Sequence, residues 1–140
     1  MKAIQINPAD KNLFIDQFPD PVVADHELLI QVEATALNRA DLLQKAGLYP
    51  PPPGSSPIMG LEMAGTVINW GAAVSGFSKG DRVCGLLPGG GYAQQVVLPA
   101  ELALRIPSEL SFADAAAIPE VFLTAFQAMH WLANIQAGES

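Results

Sequence analysis

The side chains that most often bind metals or act as nucleophiles are scarce in this chain. It has one cysteine, Cys84, and two histidines, His26 and His130. A lone cysteine excludes an internal disulfide and any zinc site built from several cysteines, and the two histidines lack metal-ligand spacing. Cys84 lies in a predicted strand beside no residue that would lower the pKa of its thiol. We therefore expect no metal site and an inert, buried Cys84.

Asn38 and Tyr49 are polar residues that local structure is expected to hold in place. Asn38 and Asp41 have the spacing of a helix N-cap and its reciprocal acid, and Gly47 stands where a left-handed C-terminal glycine belongs. This pattern predicts a helix over Arg39–Ala46. Tyr49 lies between Gly47 and the stiff proline run 50–53, which would fix the position of its phenol.

The elements around these residues are predicted to be mainly strands. Residues 28–35 alternate apolar and polar side chains, as a half-buried strand does. Glycine and proline, twelve of each, separate the other segments of strand character. These predicted strands are 3–6, 13–18, 65–70, 82–87, 92–98 and 102–106. Many short strands and a few helices indicate a mainly β domain of barrel-like or sandwich-like form.

Two helices are predicted after residue 110. Ser111 and Asp114 repeat the capping pattern, and Pro119 suits the first position of a helix that runs to about Asn134. The apolar side chains of this second helix are expected to form one wide buried face, with the aromatic residues as helix core rather than a substrate pocket. The face comprises Val121, Phe122, Ala125, Phe126, Met129 and Leu132.

Charge and hydropathy limit which partners and which cellular location are expected. The 7 basic and 14 acidic side chains give a net charge of −7, which disfavours nucleic acid as a partner. No signal peptide is visible, and the most apolar stretch, 115–133, is too polar to span a bilayer. We expect a cytoplasmic protein. The last residues, 136–140, are typical of a chain that continues into another element, so we expect a fragment.

An ordered set of motifs covers nearly the whole chain and resembles one enzyme family. It is similar to the zinc-free quinone oxidoreductase (zeta-crystallin-like) branch of the medium-chain dehydrogenase/reductase superfamily. The matching stretches are Ala36-Leu37-Asn38-Arg39-Ala40-Asp41, Gly47-Leu48-Tyr49-Pro50-Pro51-Pro52, Gly60-Leu61-Glu62-Met63-Ala64-Gly65, Lys79-Gly80-Asp81-Arg82-Val83, Gly91-Tyr92-Ala93, Ala116-Ala117-Ile118-Pro119 and Leu123-Thr124-Ala125-Phe126.

The resemblance implies both a fold and an activity. Residues 1–118 are expected to form a GroES-like β-barrel, and 119–140 a helix and linker that lead to an absent nucleotide-binding (Rossmann) domain. The implied reaction is NADPH-dependent reduction of quinones in the cleft between the two domains, so the fragment alone would be inactive. NADPH would be bound mainly by the missing domain, and the full-length protein could be a homodimer.

The resemblance also implies that the enzyme works without zinc. Zinc-dependent members of the superfamily carry a cysteine where this chain has Asn38 and a histidine where it has Leu61, and neither replacement is a zinc ligand. Glu62 remains from the motif of the zinc enzymes. Without a metal, we expect Glu62 to be a structural, hydrogen-bonding acid beside the barrel.

Four residues carry over from the family as candidate site residues. Tyr49 and Asn38 are expected to be catalytic, since a zinc-free reductase must stabilise charge on the substrate oxygen with hydrogen-bond donors. Asn38, Arg39, Tyr49 and Thr124 are expected to contact the cofactor. Each has a simpler alternative: a helix cap for Asn38, a solvated helix residue for Arg39, a surface tyrosine for Tyr49, and a bond to the preceding turn for Thr124.

Two other functions remain open at this point. Zinc-free enoyl or alkenal reductases share most of these motifs and reduce a carbon–carbon double bond. A non-catalytic GroES-like binding module is the alternative outside the enzymes.

Overall fold

Short strands bounded by glycine and proline make up most of the first hundred residues of the computed structural model, which describes residues 1–139. All seven predicted strand segments are confirmed, with ends that differ by a few residues. The strands are β1 (Lys2–Ile6), β2 (Leu13–Gln17), β3 (Glu27–Ala34), β4 (Glu62–Trp70), β5 (Arg82–Leu86), β6 (Gln95–Pro99) and β7 (Leu104–Arg105).

The strands form two antiparallel sheets. Five pair in the order β6-β3-β4-β5-β7, and β1 pairs with β2 in a separate hairpin. The hairpin is joined to the rest by a bridge between Ala3 and Ala93 and by the Ile4 N–H, which donates to the Tyr92 carbonyl at 2.8 Å. The expected barrel is therefore present as two open sheets. Strands β6 and β7 are the edges of the larger sheet, and among the described residues no further strand joins them.

The core lies on one face of the five-stranded sheet. Antiparallel pairing places apolar residues of neighbouring strands opposite one another on this face, where they exclude water. Leu28, Ile30, Met63, Val67, Val83 and Leu98 are fully buried there. Cys84 is also buried, in a second cluster with Ala64 and Ala115, which confirms the expectation of a buried thiol.

Strand β3 is irregular where it approaches β4 most closely. Its pairing with β4 shifts register between Leu29 and Ile30 and again between Val32 and Ala34. Gly65 of β4 lies against this second irregularity, opposite Val32, and a Cβ atom there would stand 2.1 Å from the Gln31 carbonyl oxygen. Only glycine fits this position without moving one of the two backbones.

The helices follow the predicted caps. The first, α1, covers Arg39–Ala46 and ends at Gly47, whose φ is +79°. The second, α2 (Phe112–Ala116), begins after Ser111, whose hydroxyl accepts from the Asp114 N–H at 3.1 Å. The third, α3 (Pro119–Phe126), has Pro119 at its first position and continues as a π-helix over Gln127–Leu132.

The predicted buried face of the last helix is wrong. The side chains of Val121, Phe122, Phe126, Met129 and Leu132 are 45 to 78% exposed, and Trp131 is exposed as well. Only the start of α3 packs on the sheet, where Pro119 is buried. The rest of the helix is covered by no other part of residues 1–139, so its apolar side chains have nothing to pack against. The winding also changes at Gln127, where an α-helix to Asn134 was expected.

The close approach at Gly65 gives a test of this architecture. We expect Gly65→Ala to lower the free energy of unfolding by about 2 kcal/mol or more, because the added methyl group meets a backbone carbonyl that cannot move alone. Gly85→Ala is the matched comparison, since its methyl group would meet a terminal methyl group of the Leu98 side chain, at 2.7 Å, rather than backbone. Urea unfolding measures both, and an equal cost at the two positions would contradict the register described here.

Candidate functional site

Glu62, the first residue of β4, lies where the sheet meets two helices. Its side chain is only 1% exposed, and both carboxylate oxygens accept hydrogen bonds. Its backbone is held by pairing with Leu86 of β5 and by the Thr35 hydroxyl, which donates to the Glu62 carbonyl at 2.7 Å. The expectation of a structural, hydrogen-bonding acid is thereby confirmed.

Asn38 is the first partner of Glu62. It is half-buried at the N-cap of α1, and its Nδ2 donates to Glu62 Oε1 at 2.7 Å. The Asn38 backbone N–H donates to Asp41 Oδ2, also at 2.7 Å, which is one half of the predicted capping box. Asn38 therefore occupies the N-cap of α1, where its backbone N–H bonds to Asp41, while its side-chain amide contacts a buried carboxylate.

The start of α3 is the second partner of Glu62. The N-cap of this helix is Ile118, whose side chain cannot accept a hydrogen bond, and Pro119 has no N–H to satisfy. The Glu120 N–H is thus the first free donor of the helix, and it donates to Glu62 Oε2 at 2.8 Å. A negative charge at this end also interacts favourably with the helix dipole. Glu62 caps α3 from 58 residues away in the sequence.

The region around Glu62 carries negative charge. Burial, followed by the charges of Glu62 and Asp41, raises the pKa of Glu120 above its ordinary value. Burial and the charge of Glu62 likewise raise the pKa of the Cys84 thiol, which keeps it unreactive. The two ion pairs within residues 1–139 join Met1 to Asp20 and Arg105 to Asp81, so neither neutralises this region.

The other candidate site residues lie on the surface. Arg39 at the start of α1, Tyr49 in the loop after Gly47 and Thr124 in α3 are exposed, Tyr49 by 46%. The structure connects Asn38 with the helix that carries Thr124, through Glu62. Within residues 1–139 the side chains of Arg39, Tyr49 and Thr124 form no hydrogen bond, and their roles stay predictions.

Sequence reasoning missed two parts of this site. One is the bond from Glu120 to Glu62, for which the only sequence signal was a helix that begins with Ile-Pro and so lacks its own cap. The other is Tyr92, which is buried beside α1 and donates from its hydroxyl to the Ala36 carbonyl at 3.2 Å. Burial, and then the neighbouring Asp41, raises the pKa of Tyr92. The phenol is therefore a neutral packing group.

The glycine run 89–91 holds the site together rather than cradling a phosphate. The Gly90 N–H donates to the Ile58 carbonyl at 2.8 Å, and the Gly91 N–H donates to the Gly60 carbonyl at 3.0 Å. These amide groups are used inside the fold, whereas a phosphate loop turns its N–H groups towards the ligand.

An apolar groove of about 500 Å³ lies beside this region. It runs between the end of β5, the segment that leads into β7, and α3. Leu86, Leu87, Leu102, Leu104 and Leu123 line it. Since Leu86 pairs with Glu62 across β4 and β5, the groove adjoins the polar site. An apolar wall beside a few fixed polar groups is typical of small-molecule sites.

Two kinds of feature are absent from residues 1–139. No group of three or more His, Cys, Asp or Glu side chains in this part of the chain could hold a metal ion. No helix among the same residues has the length and apolar character needed to cross a membrane.

A family profile and a curated relative agree with this architecture. The profile of the alcohol dehydrogenase GroES-like domain matches residues 24–108. The quinone oxidoreductase-like protein 2 homolog of Nematostella vectensis is 35% identical over 141 residues, which cover 99% of this chain and 39% of the relative. The chain thus spans about two fifths of that relative's length.

Solved structures resemble the chain over most of its length. The CurK enoyl reductase has a TM-score of 0.87 and 30% identity, over 99% of this chain and 45% of its own. The Escherichia coli quinone oxidoreductase complexed with NADPH has a TM-score of 0.81 and 28% identity, over 92% of this chain and 40% of its own. In both cases the matching part is less than half of the solved chain.

The raised pKa of Glu120 predicts a pH-dependent stability. An acid whose pKa is higher in the folded than in the unfolded state destabilises the fold when ionised, and protonation removes this effect. We expect Glu120→Gln to raise the urea midpoint at pH 7. The gain should shrink as the pH falls through the raised pKa and vanish near pH 4, about the ordinary value for glutamate.

The control is Glu33→Gln, which alters an exposed acid of β3. We expect it to leave the urea midpoint unchanged at both pH values. A lower urea midpoint for Glu120→Gln at pH 7 would contradict the raised pKa of Glu120.

Proposed function

Since this chain belongs to the alcohol dehydrogenase GroES-like domain family of the medium-chain dehydrogenase/reductase superfamily, we propose that it is the N-terminal catalytic domain of an NADPH-dependent quinone oxidoreductase. The reaction takes place without zinc, in a cleft between this domain and a nucleotide-binding domain. Tyr49 and Asn38 are the catalytic residues. Arg39 and Thr124 contact the cofactor with them.

The observation that carries this proposal is the fixed amide of Asn38. Its Nδ2 is held at 2.7 Å from the buried carboxylate of Glu62, at the position where zinc-dependent relatives have a metal-binding cysteine. Hydride addition places negative charge on the substrate oxygen, and a positioned N–H donor stabilises that charge as a metal ion otherwise would. Tyr49, which is 46% exposed, is the proposed second donor.

The residues present fit one end of the cofactor. When bound, NADPH supplies the hydride. Asn38, Tyr49 and Thr124 are uncharged hydrogen-bonding side chains, which suit the nicotinamide end. The acidic surroundings of Glu62 and the internally bonded glycine run 89–91 provide no site for the phosphates. The phosphates are bound by the nucleotide-binding domain instead.

The exposed apolar side of α3 supports the presence of that second domain. A helix that is apolar on most of its surface is normally buried, and here its side chains remain 45 to 78% exposed. The nucleotide-binding domain, following residues 119–140, covers this surface in the whole protein. The adjoining leucine groove then becomes one wall of the cleft and accepts a small hydrophobic quinone. Cytoplasmic location and homodimer formation stay predictions.

Reduction of a carbon–carbon double bond is the second candidate function. It is favoured by the TM-score of 0.87 to an enoyl reductase, the CurK protein. The same site serves this reaction, because hydride addition to an enone or enoyl thioester also places negative charge on a carbonyl oxygen. A non-catalytic binding module is the alternative that would need neither NADPH nor a substrate.

The first test is NADPH oxidation by the whole protein. We expect turnover with a simple benzoquinone that resists a strong chelator, and a fall in kcat of about 100-fold in Tyr49→Phe, in line with the loss of one donor to the reacting oxygen. Ser108→Ala removes an exposed hydroxyl with no proposed ligand contact and should leave kcat unchanged.

The same assay separates the alternatives. Turnover with an enoyl thioester but with no quinone would assign the enoyl-reductase function. Inactivation by the chelator would contradict a zinc-free site. Absence of both NADPH binding and turnover would favour the binding module.

The proposed burial of α3 by the nucleotide-binding domain gives a second test. In the 140-residue chain, Phe122→Ser should change the free energy of unfolding by less than about 0.5 kcal/mol, because the ring is already exposed. In the whole protein the same change should cost about 3 kcal/mol, because it leaves a cavity between the domains. Ala113→Ser, on the exposed side of α2, is the control for both proteins. Equally small effects in both would contradict a second domain on α3.

A further inference from the structure

We propose that Glu62 is a positioning residue that aligns the two elements carrying the candidate cofactor contacts. Its carboxylate fixes the Asn38 amide and the start of α3 relative to each other. This inference rests on the proposed function, because it gives Glu62 a role in the site that Asn38 and Thr124 are proposed to form.

The orientation of the Asn38 amide follows from its partner. Glu62 Oε1, 2.7 Å away, only accepts hydrogen bonds, so the NH2 end of the amide must face it. Turning the amide by 180° would place its oxygen against the carboxylate. The second N–H of Nδ2 is then the donor that Asn38 can offer to a ligand, and Glu62 decides in which direction it points.

Glu62 is itself held firmly enough to fix the positions of Asn38 and α3. Its side chain is 1% exposed, its carbonyl accepts from the Thr35 hydroxyl, and its backbone is paired with Leu86. Its second oxygen holds the Glu120 N–H at 2.8 Å, four residues before Thr124 on the same helix. One buried carboxylate thus joins the cap of α1 to the start of α3.

A carboxylate is the group that this position requires. A glutamine has one acceptor and one donor at the end of its side chain. The backbone N–H of Glu120 cannot turn, so the glutamine oxygen would accept from it and the glutamine NH2 would face the NH2 of Asn38. Glu62→Gln therefore keeps the bond to the helix but no longer accepts from the Asn38 NH2. The Asn38 amide must turn by 180°, so that its oxygen accepts from the new NH2 and its own N–H groups point elsewhere.

Reversing both partners should restore the bond. Asn38→Asp alone places two carboxylates against each other. Combined with Glu62→Gln, the new carboxylate at position 38 accepts from the new amide at position 62, and the amide oxygen still accepts from Glu120. The packing is restored, but position 38 no longer has an N–H to offer to a ligand.

The experiment compares wild type, E62Q, N38D and the double variant N38D/E62Q in the whole protein. The measurements are the side-chain amide NMR signal of Asn38, hydrogen exchange of the Glu120 N–H, the urea midpoint, the NADPH dissociation constant, and kcat. Glu33→Gln is the control and should match wild type in each.

In E62Q we expect slow exchange at Glu120 to persist, while the Asn38 amide signal shifts and its protons exchange faster. The value of kcat should fall about 10- to 100-fold, with a smaller change in the NADPH dissociation constant, as for other residues that orient a functional group. The double variant should recover the urea midpoint that N38D loses, and should not recover kcat.

Two results would overturn the proposal. One is an Asn38 amide signal that is unchanged in E62Q. The other is recovery of kcat together with stability in the double variant, which would make the role of Glu62 purely structural. A wild-type protein that neither binds nor oxidises NADPH would instead overturn the proposed function, and the NMR and exchange data would still decide whether Glu62 fixes Asn38 and α3.

Discussion

A buried carboxylate with two satisfied oxygens is the constraint on which this structure depends. Moving an ionised group out of water costs several kcal/mol unless hydrogen bonds replace the lost hydration. Glu62 meets this requirement with the Asn38 amide on one side and the Glu120 N–H on the other. The same bonds supply the cap that the Ile-Pro start of α3 lacks. Removal of Glu62 would leave both donors without this partner, and removal of either donor would leave one buried carboxylate oxygen unsatisfied. The sheet, α1 and α3 are therefore held in one fixed arrangement.

The proposed function depends on hydrogen-bond chemistry rather than on metal chemistry. A zinc site requires nitrogen or sulphur ligands at short range, and here an amide and the apolar Leu61 stand at two of the positions that zinc-dependent relatives use. The acidic groups that remain, Glu62 and Asp41, are both engaged in capping the helices. Their charge disfavours phosphate in this part of the chain, so the proposed division of the cofactor between two domains is consistent with the electrostatics of this one.

Local patterns predicted the elements well, and contacts between distant residues could not be predicted from them. The helix caps at Asn38, Gly47 and Ser111 depend on a few adjacent residues, and all three are confirmed. The bond between Glu62 and Glu120 has no local signature, since it depends on how the sheet carries β4 to the start of α3. The apolar side of α3 was wrongly assigned to this domain's core, because the pattern of a helix indicates that a face is buried but not against which partner. The contacts of Tyr49 and Thr124 with a ligand stay predictions for the same reason.

The bond that spans 58 residues also limits how genes of this family can be recombined. A chimera with a crossover between positions 62 and 120 takes the acid from one parent and the helix it caps from the other. If the two parents differ in the length or angle of that helix, the acid loses the Glu120 N–H, and one oxygen of a buried carboxylate is left unsatisfied. Crossovers before Asn38, or after the helix, take all three groups from one parent. Protein engineers who exchange segments among relatives should therefore take residues 38–132 from a single parent.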